Sequence, residues 1–271
     1  MCLNQTQKCK KEGNVMDKFK MTRRDNIFLA KRNVIDCIYS SSRLEGIAIT
    51  FPETQEIFEG RNVAHLSIED VVKVNDLKHA WQFILDTVDY PLDLMYVRQL
   101  NKEIGAGLIP DCGNLRIVDV GITGTEWKPE IPDTDHTKQE IENIMSIPET
   151  TERAITLMLY LMRAQLFLDG NKRVAQLAAN QVMIQGGAGV ISIPVSKQKD
   201  FFQLLIEYYE SNDMRQIKEF VYNTSIEGYN SKDQAKAIKK EEEIDYQAFF
   251  KKKVPHSNKQ EEEEQDEEIE R

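Results

Sequence analysis

The chain has 271 residues, 41% of them apolar, and a formal net charge of −10. That length allows one sizeable domain with appendages or two small ones, and the composition is that of a globular protein. No apolar run reaches the roughly 18 residues that span a bilayer. The start, "MCLNQTQKCKKEGN", lacks the apolar middle of a signal peptide, and basic residues are interspersed with acids. These features argue against membrane insertion and general nucleic-acid binding, and a cytoplasmic location is expected. Cys2, Cys9, Cys37 and Cys112 form no CxxC pair, and His65, His79, His136 and His256 are dispersed. A zinc site or disulfide framework is not expected.

The first twenty or so residues are polar and Lys-rich and read as flexible. Ile27, Ala30, Val34, Ile38 and Leu44 recur at helical steps, predicting a helix from about Arg24 to Leu44 that Gly46 terminates. Pro52 opens a short helix, "PETQEIFEG". Ser67, with Asp70 three residues on, caps the longer "SIEDVVKVNDLKHAWQFILDTV". "DLMYVRQLNKEIGAG" is a further helix, ending at glycine. "GNLRIVDVGITGTEWKPEIPD" then alternates Ile117, Val118, Val120 and Ile122 with small or polar residues and reads as a short β-hairpin. Helical patterns resume at about Thr137–Ser146, Glu152–Leu168, Asn171–Gln185, Lys197–Glu210 and Met214–Ser225. A charged helix or disordered tail follows from about Tyr229, ending in the acidic "QEEEEQDEEIER". The expected fold is all-α: a bundle of about eight helices with one small β excursion.

Between two apolar helices stands "QLFLDGNKRVAQ", Gln165–Gln176. Gly170 lets the backbone bend. The amides of Gly170, Asn171 and Lys172 would lie at a helix N-terminus without intrahelical acceptors, where the helix dipole favours an anion. Lys172 and Arg173 add positive charge, and a guanidinium grips phosphate with two bonds. Asp169 looks misplaced unless it holds Mg²⁺ against a polyphosphate. Phosphoryl or nucleotidyl transfer is one reading. Asp-Gly-Asn is also an ordinary turn, and that reading stays open.

The stretch resembles the active-site loop of the Fic family, H-x-F-x-[D/E]-G-N-[G/K]-R, matched here by Phe167, Asp169, Gly170, Asn171, Lys172 and Arg173, with Gln165 at the histidine position. Ser41-Ser-Arg-Leu-Glu45-Gly46 is similar to the family's inhibitory motif, and Gly113-Asn-Leu-Arg116 leads into a segment similar to its flap. The likeness covers roughly Ile27 to Ser225. It implies a Fic-type helical bundle with a short hairpin flap. The division it implies is a flexible N-terminus over 1–23, an inhibitory-helix segment over 24–50, a catalytic core over 51–228 and a charged tail over 229–271.

The resemblance implies AMP transfer from ATP, with Mg²⁺, onto Ser, Thr or Tyr hydroxyls of proteins, the chain itself included. It makes Asp169 the metal ligand and Gly170, Asn171 and Lys172 the phosphate cradle. Arg173 becomes the phosphate-binding arginine and Phe167 a buried anchor. Val120, Gly121, Ile122 and Thr123 become the edge on which a target protein docks by β-augmentation.

Two departures qualify this. A neutral amide at Gln165 accepts no proton at pH 7, so transfer is expected to be slow, with an inactive ATP-binding protein as the alternative. Autoinhibited relatives carry a second arginine where Gln176 stands, so Glu45 is left to reach Gln176 or Arg173 and is expected to inhibit weakly. Lys172 also occurs in the toxin branch that moves a γ-phosphate, a second alternative. A homo-oligomer is compatible with the pattern. Trp81 reads as core, and Trp127 as core or a stacking platform. His136 is a conceivable surrogate base, and Ala248–Lys253, "AFFKKK", a conceivable contact for an anionic surface.

Overall fold

The computed structural model describes residues 15–230. The remaining residues, 1–14 and 231–271, where the polar start and the charged tail are expected, lie outside the described residues. Nine helices are present among them: α1 (Arg23–Leu44), α2 (Phe51–Phe58), α3 (Ile68–Asp86), α4 (Leu94–Gly105), α5 (Thr134–Met145), α6 (Thr150–Ala164), α7 (Asn171–Gly186), α8 (Gln198–Ser211) and α9 (Arg215–Thr224). Their ends follow local chemistry. Thr22, Ser67, Asp93 and Asp133 each accept a backbone N–H from the first turn of α1, α3, α4 and α5, an arrangement worth about 1 kcal/mol per cap. At α2 the Thr50 and Glu53 pair closes a capping box ahead of Pro52.

The centre of the bundle is the α6–α7 pair. Ala154, Leu157, Met158, Leu161 and Met162 of α6 and Val174, Ala175, Ala178, Ala179, Val182 and Met183 of α7 are buried, and α1, α3, α4 and α5 pack around them. Trp81 and Phe167 are core residues, each 2% exposed. Polar side chains buried on α7 pin its surroundings: Asn180 bonds both N–H and C=O of Ile191, and Gln181 donates to Val88 O and Tyr90 O. Such pins satisfy groups whose desolvation would otherwise cost about 1–3 kcal/mol each.

The sheet is not where the alternation of 117–122 predicts it. The strands are β1 (Val190–Ile191) and β2 (Ile226–Glu227), paired antiparallel behind α7. Residues 114–131 form an extended excursion without paired strands. Ile117 and Val118 are 86% and 51% exposed whereas Ile122 is half-buried against the core, so the alternation has no continuous face to cover. The Arg116 guanidinium takes the carbonyls of Val118, Pro129 and Glu130 that a ladder would need.

Residues 15–22 are also tied down, against the expectation of a flexible start. Val15 N donates to Glu152, Thr151 N donates to Asp17, and Met21 N donates to Gly187 O. Among the described residues no helix is long and apolar enough to cross a membrane, and no cluster of three His, Cys, Asp or Glu side chains could hold a metal.

Candidate active site

The end of α1, the turn 165–170 and the root of the 111–131 excursion converge on the head of α7. Gln165 ends α6 in the left-handed region, φ 46° and ψ 59°, which costs a non-glycine residue about 1–2 kcal/mol. Contacts on every polar atom offset this. Its Nε2 donates to Met162 O at 2.6 Å, its Oε1 accepts from Asn171 Nδ2 at 3.1 Å, and its carbonyl accepts from Arg116 Nε at 2.6 Å. Burial pushes the neighbouring Tyr209 phenol above its usual range, Tyr208 adds to this, and a hydrogen bond with Gln165 opposes it. The side-chain amide that stands at the histidine position is thus spent on contacts inside the protein.

Gly170 is required twice over. Its φ is +81°, and a Cβ there would lie 2.4 Å from Ile104 Cδ1. Asn171 turns back on the loop, accepting from Phe167 N at 2.9 Å and donating to Phe167 O at 2.8 Å. Asn101 of α4 completes the cradle, donating to Asp169 O and accepting from Gly113 N. These staples leave the amides of Asn171, Lys172 and Arg173 as the first turn of α7, without intrahelical acceptors. The Gly170 amide, expected to be free, is not: it donates to Asp169 Oδ1 at 2.6 Å. The nest is shifted one residue along the chain.

Asp169 has 57% of its side chain exposed and accepts from Arg173 Nη2 at 3.2 Å. Arg173 is 2% exposed. It lies beneath the loop, donating also to Ile104 O, and does not present its guanidinium at the mouth. Below it is Asp76 of α3, whose carboxyl burial pushes up to about 7, with Arg173 pulling it down and Glu103 pushing it further up. One oxygen of Asp76 and the Nε of Arg173 have no hydrogen-bond partner.

Glu45 reaches neither Gln176 nor Arg173. The Lys172 ammonium stands 3.7 Å from its Oε1, with the two side chains 30% and 15% exposed; that oxygen makes no hydrogen bond. Gln176 is turned away from the mouth, donating to Ser41 Oγ at 3.3 Å and Lys172 O at 3.2 Å. The cavity beside it, about 10 Å³ and lined by Cys37, Ser41, Trp81 and Asn180 among others, has room for about one water and none for a nucleotide. Gly46, at φ +84°, turns the chain after Glu45.

Along the excursion, the backbone groups of Asp119–Thr123 make no hydrogen bond among the described residues. The edge predicted over Val120, Gly121, Ile122 and Thr123 is therefore open. Trp127 is not a free platform: it stacks on Tyr209 at 5.8 Å, with the Arg163 guanidinium 4.2 Å from its ring. His136 is exposed in the first turn of α5.

The Fic/DOC family pattern matches residues 91–183. The chain carries a Fic/DOC domain. Solved structures agree in fold. Fic-1 (residues 134–508) of C. elegans superposes with a TM-score of 0.63 at 18% identity, covering 82% of this chain and 66% of that one. A Fic family protein of Desulfovibrio desulfuricans G20 gives 0.58 at 16% identity, with 80% and 65% covered. A Fic domain-containing signaling protein of Bacteroides thetaiotaomicron gives 0.54 at 18% identity, with 78% and 94% covered. The chain thus spans just under two thirds of the first two.

Within the Fic/DOC domain, Asn101 and the full role of Arg116 escape sequence reasoning. A signal for Asn101 exists: it is a polar residue in the apolar stripe of Val97, Leu100 and Ile104, and buried polar groups in such stripes bond to something specific. Tyr209 and the Lys172–Glu45 pair have no comparable signal, because each joins segments remote in sequence.

Proposed function

We propose that the chain binds ATP with Mg²⁺ at the head of α7 and slowly transfers AMP to hydroxyls of protein segments docked along 120–123, its own included. One observation carries the reading: a turn stapled at both ends leaves three successive amides unpaired, with Lys172 beside them and the Asp169 carboxylate exposed. Amides and a helix dipole suit phosphate. Mg²⁺ takes one or two carboxylates and completes its shell with phosphate oxygens and water, and Asp169 fits that donor set. The chemistry such an ion supplies is neutralisation of polyphosphate charge.

The chain's own residues would act as follows. The amides of Asn171, Lys172 and Arg173 orient the phosphates, and Lys172 adds charge. Arg173, held beneath, keeps Asp169 aimed. The acceptor hydroxyl attacks the α-phosphorus, the bond to the pyrophosphate oxygen breaks, and the hydroxyl proton passes to water. Gln165 offers no proton acceptor, and general-base catalysis is worth about 10²–10⁴ in rate. Positioning and charge stabilisation remain. The inward-turned Gln165 amide also favours a second reading, an ATP-binding protein without turnover. Lys172 keeps γ-phosphoryl transfer of the toxin type as a third.

Incubation with Mg²⁺ and ATP labelled at the α- or γ-phosphate separates these. α-Label on protein is expected; γ-label means phosphotransfer, and binding without label means no turnover. Asp169→Ala is expected to abolish transfer, and Gln165→His to raise it at least tenfold. Glu45→Gly is expected to change the rate no more than about fivefold, because Glu45 meets only Lys172, at 3.7 Å and without the charge-assisted hydrogen bond that makes such a clamp strong; a hundredfold rise would refute a weak clamp.

A further inference from the structure

We propose that the apolar strip along the 117–131 excursion is a docking surface for a segment of this chain itself, Phe249-Phe250-Lys251-Lys252-Lys253-Val254. Four large apolar side chains stand open there: Ile117 at 86%, Val118 at 51%, Ile131 at 50% and Leu168 at 41% exposure. They belong to one neighbourhood. Arg116 binds the carbonyls of Val118, Pro129, Glu130 and Gln165 with its guanidinium, and its own N–H donates to Leu166 O. Beside the strip runs the unbonded backbone of Asp119–Thr123, an edge to which an extended segment adds as a strand.

The rim selects the occupant by charge. Asp119, Glu126 and Glu130 are exposed around the strip, against Lys128 as the exposed cation of that stretch. A fitting segment is apolar and basic together, and residues 249–254 carry two phenylalanines and a valine around three lysines. The chain is long enough. Asn230 lies at the far end of α7, bonded to Lys20 beside the Met21–Gly187 contact. About 19 residues separate it from Phe249 and span up to about 60 Å when extended; α7, 16 residues long, measures about 24 Å.

The inference rests on reading 120–123 as a docking edge, but it is measured without nucleotide, so absence of AMP transfer leaves it standing. Hydrogen exchange is compared between the full chain and its F249A/F250A/K251E/K252E/K253E variant, whose substitutions lie outside the described core. Peptides covering Val118–Thr123 are expected to exchange at least tenfold faster in the variant, with α6 and α7 unchanged. A synthetic peptide of residues 246–255 is expected to slow them again. Equal exchange in the two proteins overturns the proposal. Protection that rises with protein concentration assigns the segment to a second copy and overturns docking within one chain.

Discussion

Asp76 is a carboxyl that the catalytic reading does not use, and it makes a pH-dependent prediction. Unfolded, it titrates near 3.8; folded, burial moves it to about 7. The folded state therefore holds the proton more tightly. Its contribution to stability is complete below about pH 4 and lost as pH rises through 7. Wild type is expected to lose on the order of 2–4 kcal/mol from this group between pH 4 and pH 8, and Asp76→Asn to lose none of it. Urea unfolding of both proteins at the two pH values checks this; parallel losses would sink it. At this scale the sequence is legible where identity alone decides. Asp169, Gly170 and Asn171 announce a turn with free amides by residue type. The direction of the Gln165 amide and the burial of Arg173 depend on Asn171, Met162 and Ile104 meeting them in space, which spacing along a chain does not encode.

The elements were the most legible part, because helical periodicity and capping are local. Ser67 and Asp70 cap α3 as their spacing predicts. The predicted hairpin failed for a non-local reason: alternation makes a strand only where a partner edge and a face to bury exist, and Arg116 removes the first while solvent replaces the second. The short β1–β2 pair was missed because two residues carry no readable period. The joint between α6 and α7 gives a sharper expectation. Gly170→Ala forces both a left-handed φ and a contact with Ile104 at 2.4 Å. It is expected to destabilise the protein by about 1–3 kcal/mol and to weaken ATP binding more than Ala at an exposed position such as Lys138, as read by thermal shift with and without nucleotide.

Across the whole molecule, a buried ion pair ties the beginning of the described chain to its end. Glu152 of α6, 2% exposed, meets Lys218 of α9, 9% exposed, and also accepts Val15 N. Lys218→Met strands a buried carboxylate and is expected to cost about 3–5 kcal/mol in chemical unfolding, whereas the double change with Glu152→Leu restores most of it.

Arg116 has a different long-range consequence. One guanidinium grips the carbonyl of Gln165 on one side and those of Val118 and Glu130 on the other, and Asn101 couples the Gly113 turn to Asp169 in the same way. A visitor that pulls on the excursion therefore pulls on the hinge between the two central helices. Under the proposed function, a docked segment and a nucleotide would lean on one shared knuckle.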